Sequence, residues 1–278
     1  MRARAATITP TDPDPHLPVP PTSDEIARLA TTLNNLLARL HAALARERQF
    51  TADASHELRT PLSMLTTELE LALQRPRTPA ELTAALRSAL EETNRLSHLA
   101  QDLLLLADTD QPQPRDQRTP SRPAIPLRPV LESTLARYRP HLDEYTLVLD
   151  CPDALTGYID ADDLTRAVTN LLDNALRHGR TPILVSARPS STTSGEHLVH
   201  IQVRDHGPGI DPQFLPHALD RFTRADPART SGGAGLGLAI TAALARRHHG
   251  TLTATNHPHG GAQLTLTLPA PPAYETSG

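Results

Sequence analysis

The chain has one cysteine, Cys151, no tryptophan, and only 3% aromatic residues among its 278. A lone cysteine can neither close an internal disulfide nor build a cysteine-type zinc site, which suits a reducing, cytosolic setting. No run of about 18 or more apolar residues occurs, so no transmembrane helix is expected. The amino terminus Met1-Arg-Ala-Arg also lacks the apolar stretch of a signal peptide. Positive charge is not in excess: the net charge is −4 and the pI about 6.4. Without a basic field to hold phosphate backbones, no nucleic acid partner is expected. As written, the chain reads as soluble and makes no membrane contact of its own. Alanine, leucine and arginine abound, which favours helices packed through small and aliphatic side chains. The length suits about two domains at roughly 100–200 residues each.

The most informative stretch is Phe50-Thr-Ala-Asp-Ala-Ser-His56-Glu57-Leu-Arg-Thr60-Pro61-Leu62. It sets a histidine, an adjacent carboxylate and a hydroxyl four residues on within a long helical pattern, beside a proline. Pro61 cannot donate to the carbonyl of Glu57 and crowds it, a cost of about 3 kcal/mol that a purely structural helix has no reason to carry. A lone helical histidine is more often an ordinary surface or core residue, but here the pattern extends over the whole stretch. A zinc-protease HExxH helix is excluded, because the second ligand position is Thr60. The stretch resembles the phosphoacceptor box of sensor histidine kinases, in which the histidine is phosphorylated from ATP. That resemblance implies a catalytic role for His56, with Glu57 as its base and Thr60 orienting a water in the reverse, phosphatase reaction. Residues i and i+1 diverge by about 100° on a helix, so a Glu57–His56 bond needs a bent-back rotamer or a distorted helix.

Residues 1–22, rich in Pro, Thr and Asp, read as a poorly ordered lead-in. From Ser23 or Asp24 as cap, Ile26, Leu29, Leu33, Leu36, Leu40 and Ala43 recur at steps of three and four, a coiled-coil seam over 23–45. Leu58, Leu62, Leu65, Leu69 and Ala72 continue it one residue out of phase, so a local repacking or bend is expected near His56 and Pro61. The helix should stop before Arg75-Pro76-Arg-Thr-Pro79. A second one, from about Ala80 to Asp108, should bury Leu82, Ala85, Ala89, Leu96, Leu99 and Leu103. Such a hairpin is too narrow to enclose a core, so residues 46–108 are expected to pair with a second copy as a four-helix bundle. Residues 109–126 are a proline-rich linker.

From 127 to 270 strands and helices alternate in mixed order: a helix near 127–140, a strand at Tyr145–Asp150, a short one around Tyr158–Ile159, and a helix from Ala161 to His178. Strands at about 182–189 and 197–204, a helix at 236–248 and a hairpin at 250–268 with Gly260-Gly261 at its turn complete the domain. This is an α+β sandwich, one sheet with helices on one face. Residues 271–278 form a tail.

Three motifs follow one another there. Asn170-Leu-Leu-Asp-Asn174-Ala-Leu-Arg177-His178 puts two Asn at i, i+4 on one helix face. An amide oxygen suits magnesium, a hard ion that takes oxygen ligands beside phosphates. Asp205-His-Gly207-Pro-Gly209-Ile210 follows a strand; a carboxylate can accept from an adenine amino group, and glycines let backbone approach a planar ring. Ser231-Gly-Gly233-Ala-Gly235-Leu236-Gly237-Leu238 precedes a helix whose N–H groups can meet an anion. No Gly-Lys-Ser/Thr follows, which rejects a P-loop, and Leu238 occupies the last glycine position of a dinucleotide fingerprint.

Together these resemble the boxes of the GHKL ATPase fold shared by histidine kinases, gyrase and mismatch-repair ATPases. The resemblance implies ATP and Mg²⁺ as cofactors, with Asn174 as the metal ligand, Asn170 in phosphate or metal contact, Arg177 and His178 beside the phosphates and Asp205 reading adenine. It also implies a mobile lid over the triphosphate at Ser231–Leu238. Leu219-Asp-Arg-Phe222-Thr-Arg224 resembles the phenylalanine box, with Leu219 and Thr223 where aromatic residues are usual and Ala234 in place of a lid hydroxyl. Residues 13–45, including Leu17-Pro-Val-Pro-Pro and Asp24-Glu25-Ile26, resemble the connector and second helix of a HAMP signal-relay domain. The expected protein is a homodimeric two-component histidine kinase that passes its phosphoryl group to a response regulator receiver domain, cytoplasmic or the cytoplasmic portion of a membrane-bound sensor. The alternatives are a catalytically silent ATP-binding dimeric scaffold, against which the intact Asn174, Asp205 and His56 argue, and a GHKL ATPase or serine kinase acting on another protein, which would not need His56.

Overall fold

The computed structural model describes residues 17–19, 25–74, 78–108, 123–139, 146–193, 195–223 and 235–272. They belong to two compact units, Met1–Glu92 and Thr93–Gly278. The lead-in up to residue 16, the cap at Ser23 or Asp24, the loop at 75–77, most of the linker and Tyr145 lie outside the described residues.

The first unit holds helix α1 (Glu25–Gln74) and the first half of helix α2 (Pro79–Asp108). The 50 residues of α1 run without interruption through Pro61. Helix α2 starts where a capping box dictates. Thr78 Oγ1 accepts from the backbone N–H of Glu81 at 3.3 Å, and the Glu81 carboxylate accepts from the Thr78 N–H at 2.8 Å, with Pro79 at the first helical position. Ser88 Oγ donates to Glu68 at 3.0 Å, linking α2 to α1. Ahead of α1, Asn34 grips Leu17 from both sides: its Oδ1 accepts from the Leu17 N–H and its Nδ2 donates to the Leu17 carbonyl. Leu17, Ala27 and Ala30 are buried as a result. The seam residues Ile26, Leu29, Leu33, Leu36 and Leu40 stay exposed in the single chain. So does Leu82, which the α2 pattern assigns to a buried face. Within one chain, nothing the hairpin contains is wide enough to cover them.

The second unit adds β1 (Ile125–Pro126), α3 (Leu127–Ala136), β2 (Leu147–Asp150), β3 (Thr156–Gly157), α4 (Ala161–His178), β4 (Ile183–Ser191) and β5 (His197–Arg204). After a 3₁₀ turn at Leu215–His217 come α5 (Gly237–Arg247), β6 (Thr251–Asn256) and β7 (Ala262–Pro269). The main sheet runs β2-β4-β5-β7-β6, with β2 parallel to β4 and the other pairs antiparallel; β1 and β3 pair separately. The short strand predicted at Tyr158–Ile159 lies two residues earlier, because Tyr158 gives its N–H to the Pro269 carbonyl at the end of the sheet and Ile159 turns into the core.

Alternation decides which sheet face is inside. Val199, Ile201 and Val203 of β5 and Leu264, Leu266 and Leu268 of β7 are buried, while the residues between them are half-exposed. The helices cover that inner face. Leu164, Ala167, Val168, Leu171, Leu172 and Ala175 make the buried stripe of α4, each large side chain worth about 1.5–3 kcal/mol on burial. The last turns of α2 belong to this unit: Leu106 is fully buried, Asp102 pairs with Arg166 of α4, and Arg221 donates to the Leu106 carbonyl.

Candidate functional site

Asn170 and Asn174 lie beside the buried stripe of α4, half-buried one turn apart. The Asn170 amide Nδ2 donates to the Gly237 carbonyl at 3.2 Å, so the asparagine helix is tied to the start of α5. Arg177 and His178 occupy the exposed last turn of α4, where cations complement the helix dipole.

Strand β5 delivers Asp205 from its last residue into a near-closed setting; Asp205 is 4% exposed. Its Oδ1 accepts from the Gly207 N–H at 2.7 Å, which shapes the turn, and its own N–H bonds to the Ala262 carbonyl. Its second carboxylate oxygen has no hydrogen-bond partner among the described residues. Side chains are excluded around it: a Cβ on Gly179 would stand 2.4 Å from the Asp205 carboxyl carbon, and one on Gly207 would stand 2.7 Å from Gly179. The neighbouring His206 directs its Nδ1–H away, to the Pro182 carbonyl at 2.6 Å. Gly209, with φ +81°, and half-buried Ile210 complete the turn.

Gly235 (φ +67°), buried Leu236, Gly237 and Leu238 bring the chain into α5. Phe222 is described, with the left-handed φ of +56°. Arg224 and Gly233, with Ser231 and Ala234, lie outside the described residues. Asp205 and Gly207 thus follow the end of the central strand β5, Gly179 just past α4 packs against Asp205, and Asn170 on α4 is tied to Gly237 at the start of α5. The donor set fits the implied ion and nucleotide: amide oxygens suit hard Mg²⁺, and a buried carboxylate with one open oxygen suits an amino-bearing ring.

In the first unit, His56 is exposed on α1 and Glu57 half-buried. Helix α1 is continuous through this stretch, and Glu57 makes no hydrogen bond to His56 there. Thr60 turns its hydroxyl back to the His56 carbonyl at 3.4 Å. Ser55, Leu58, Arg59 and Leu62, with Ser63, Thr66 and Thr67, border an open groove of about 610 Å³ along α1 that His56 does not line.

Sequence reasoning missed two contributors. Gly179 matters only through its approach to Asp205, which no local pattern encodes. Asn256, the last residue of β6, holds Ile210; an Asn at the end of a Thr-rich strand, where Asn is disfavoured, was the available signal.

Comparison with known proteins places both units. The His Kinase A phospho-acceptor domain matches residues 46–112, and the histidine kinase-, DNA gyrase B- and HSP90-like ATPase matches 159–272. A probable sensor histidine kinase HK of Mycobacterium tuberculosis CDC 1551 is 50% identical over 200 residues, covering 72% of this chain and 50% of that protein. The sensor histidine kinase component HK1 of M. tuberculosis H37Rv is 48% identical over 147 residues, 53% of this chain and 83% of its own length. Escherichia coli K12 sensor histidine kinase CusS is 34% identical over 266 residues, 95% of this chain and 54% of that protein. The chain therefore spans about half the length of HK and CusS. The fold matches that of Acinetobacter baumannii histidine kinase AdeS with a TM-score of 0.54 at 23% identity, over 77% of this chain and 98% of that one. Two family matches that fall on the phospho-acceptor stretch and on the asparagine helix with its glycine turn, together with these relatives, show that the chain belongs to the sensor histidine kinase family.

Proposed function

We propose that this chain is an ATP-dependent protein-histidine kinase that phosphorylates His56 and passes the phosphoryl group to an aspartate of a response regulator. The observation that carries the reading is Asp205, a carboxylate 4% exposed with one oxygen still open, in a turn where Gly179 and Gly207 leave room for a flat ring. Asp205 accepts the adenine amino group; Asn174, with Asn170 beside it, would hold Mg²⁺; Arg177 and His178 would meet the phosphates. Bound Mg²⁺ neutralises charge on the triphosphate.

The lone pair of one neutral His56 ring nitrogen forms the N–P bond. The bond from the γ-phosphorus to the bridging oxygen breaks and ADP departs with that electron pair. The proton on the other ring nitrogen is lost to Glu57 or to solvent. For Glu57 to serve, its side chain must leave the rotamer it holds on the regular helix. Catalysis of this kind rests mostly on positioning and charge. A carboxylate oxygen of the regulator's aspartate then attacks the phosphorus of the phosphohistidine, the N–P bond breaks with its electron pair returning to the ring nitrogen, and the imidazole regains a proton from solvent. In the reverse duty, the Thr60 hydroxyl leaves the His56 carbonyl and orients a water on the phosphorylated regulator. Exposed leucines along α1 and α2 support a homodimer.

The test is incubation with γ-labelled ATP. Wild-type chain gains acid-labile label, while His56→Gln and Asp205→Asn gain none. Equal labelling of His56→Gln, or an acid-stable label, defeats the proposal; the second outcome points to a serine kinase. Thr60→Ala should retain autophosphorylation and lose regulator dephosphorylation, and unchanged dephosphorylation rejects that role.

A further inference from the structure

Asn256 closes β6 at the edge of the main sheet, 46 residues along the chain from Ile210. Its carboxamide makes two bonds to the Ile210 backbone: Oδ1 accepts from the Ile210 N–H at 2.7 Å and Nδ2 donates to the Ile210 carbonyl at 2.7 Å. A peptide-shaped side chain thus stands in for a strand residue and pairs with the turn as a β-bridge would. Its oxygen lies 2.7 Å from where a Cβ on Gly209 would stand. Among the described residues, Pro208–Ile210 has no other hydrogen bond to the sheet. At the other end of the turn, Gly207 is fixed by the Asp205 carboxylate itself. The turn is therefore held at two points, the adenine-reading carboxylate and the Asn256 amide.

We propose that Asn256 is a positioning residue that sets the spacing between the Gly207–Ile210 turn and the Asp205 carboxylate, and so the selectivity of the site for adenine over guanine nucleotides. This rests on the ATP reading above. Asn256 does not touch the nucleotide in this scheme; it acts through Ile210. Freed from the sheet edge, the turn samples wider spacings, and a ring lacking the 6-amino donor is no longer rejected by the fit alone.

The test is equilibrium binding of ATP and GTP to the full chain, with amide exchange at Ile210 and thermal melting alongside. Two hydrogen bonds at about 1 kcal/mol each predict roughly tenfold or greater weakening of ATP binding in Asn256→Ala. The ATP-to-GTP preference falls with it, Ile210 exchanges faster, and the melting transition stays cooperative. Asn256→Asp keeps the bond from the Ile210 N–H and loses the donor, so it should fall between wild type and Asn256→Ala in affinity and selectivity. Wild-type selectivity in Asn256→Ala overturns the proposal, as does unchanged exchange at Ile210. A purely structural role is revealed by both nucleotides weakening equally in both variants, which also overturns it. If wild-type chain binds no ATP, the site reading falls first and the proposal with it.

Discussion

The Asp205 carboxylate sits where almost no water reaches it, and the Gly207 N–H is the one donor to that carboxylate among the described residues. Replacing it with Asn keeps the shape but swaps an acceptor for a donor at one of its two positions, so loss of ATP binding with little loss of stability is the expected signature in calorimetry. The sequence contains no lysine, so every fixed side-chain cation that could meet phosphate is an arginine. At Gly261, φ is +88° and an added Cβ would stand 1.9 Å from the Asp205 carbonyl oxygen. Gly261→Ala should therefore destabilise the ATPase unit by about 3 kcal/mol or more, read as a lowered melting temperature. Cys151 is buried, and burial pushes its thiol pKa up. Its reaction with a thiol reagent at pH 8 should be slow in the native chain and fast in denaturant.

At the scale of elements, Pro61 sits inside a continuous 50-residue helix without an N–H for the carbonyl of Glu57. Pro61→Ala should raise the helical melting temperature, and circular dichroism checks it; if bending serves the switch between kinase and phosphatase states, that gain comes with a shifted balance between the two activities. Tyr138, just past α3, donates to Asp173 of α4 at 2.8 Å. Burial, then the bond and charge of Asp173, hold its phenol well above the usual range. The folded state therefore keeps that proton while the unfolded state loses it above about pH 10. Stability from this group is complete below that pH and falls as pH rises through it. Tyr138→Phe should flatten the alkaline limb of a denaturation series. Leu106, at the end of α2, is fully buried; Leu106→Ala should cost about 2–5 kcal/mol.

For the whole molecule, the five exposed seam residues from Ile26 to Leu40, with Leu62, Leu69, Leu82, Leu86 and Leu90, are too much apolar surface for a helical hairpin to leave in water. Sedimentation should give twice 30.1 kDa, and Leu29→Glu with Leu36→Glu should shift it toward monomer. No helix among the described residues is long and apolar enough to cross a membrane. Periodicity alone placed α4 at its observed bounds and β5 likewise, because one buried face of each is written in steps of three and four or of two. It misplaced β3, because a two-residue pairing leaves no local period. The sequence by itself determined the helix that carries His56, the asparagine helix and the glycine turn after Asp205, since each is a local pattern of side-chain types. Only the tertiary structure decided that Gly179 must lack a side chain, that Asn256 grips Ile210 and that the end of α2 packs with the ATPase unit. Those facts arise from contacts between segments tens of residues apart, and no spacing along the chain encodes them.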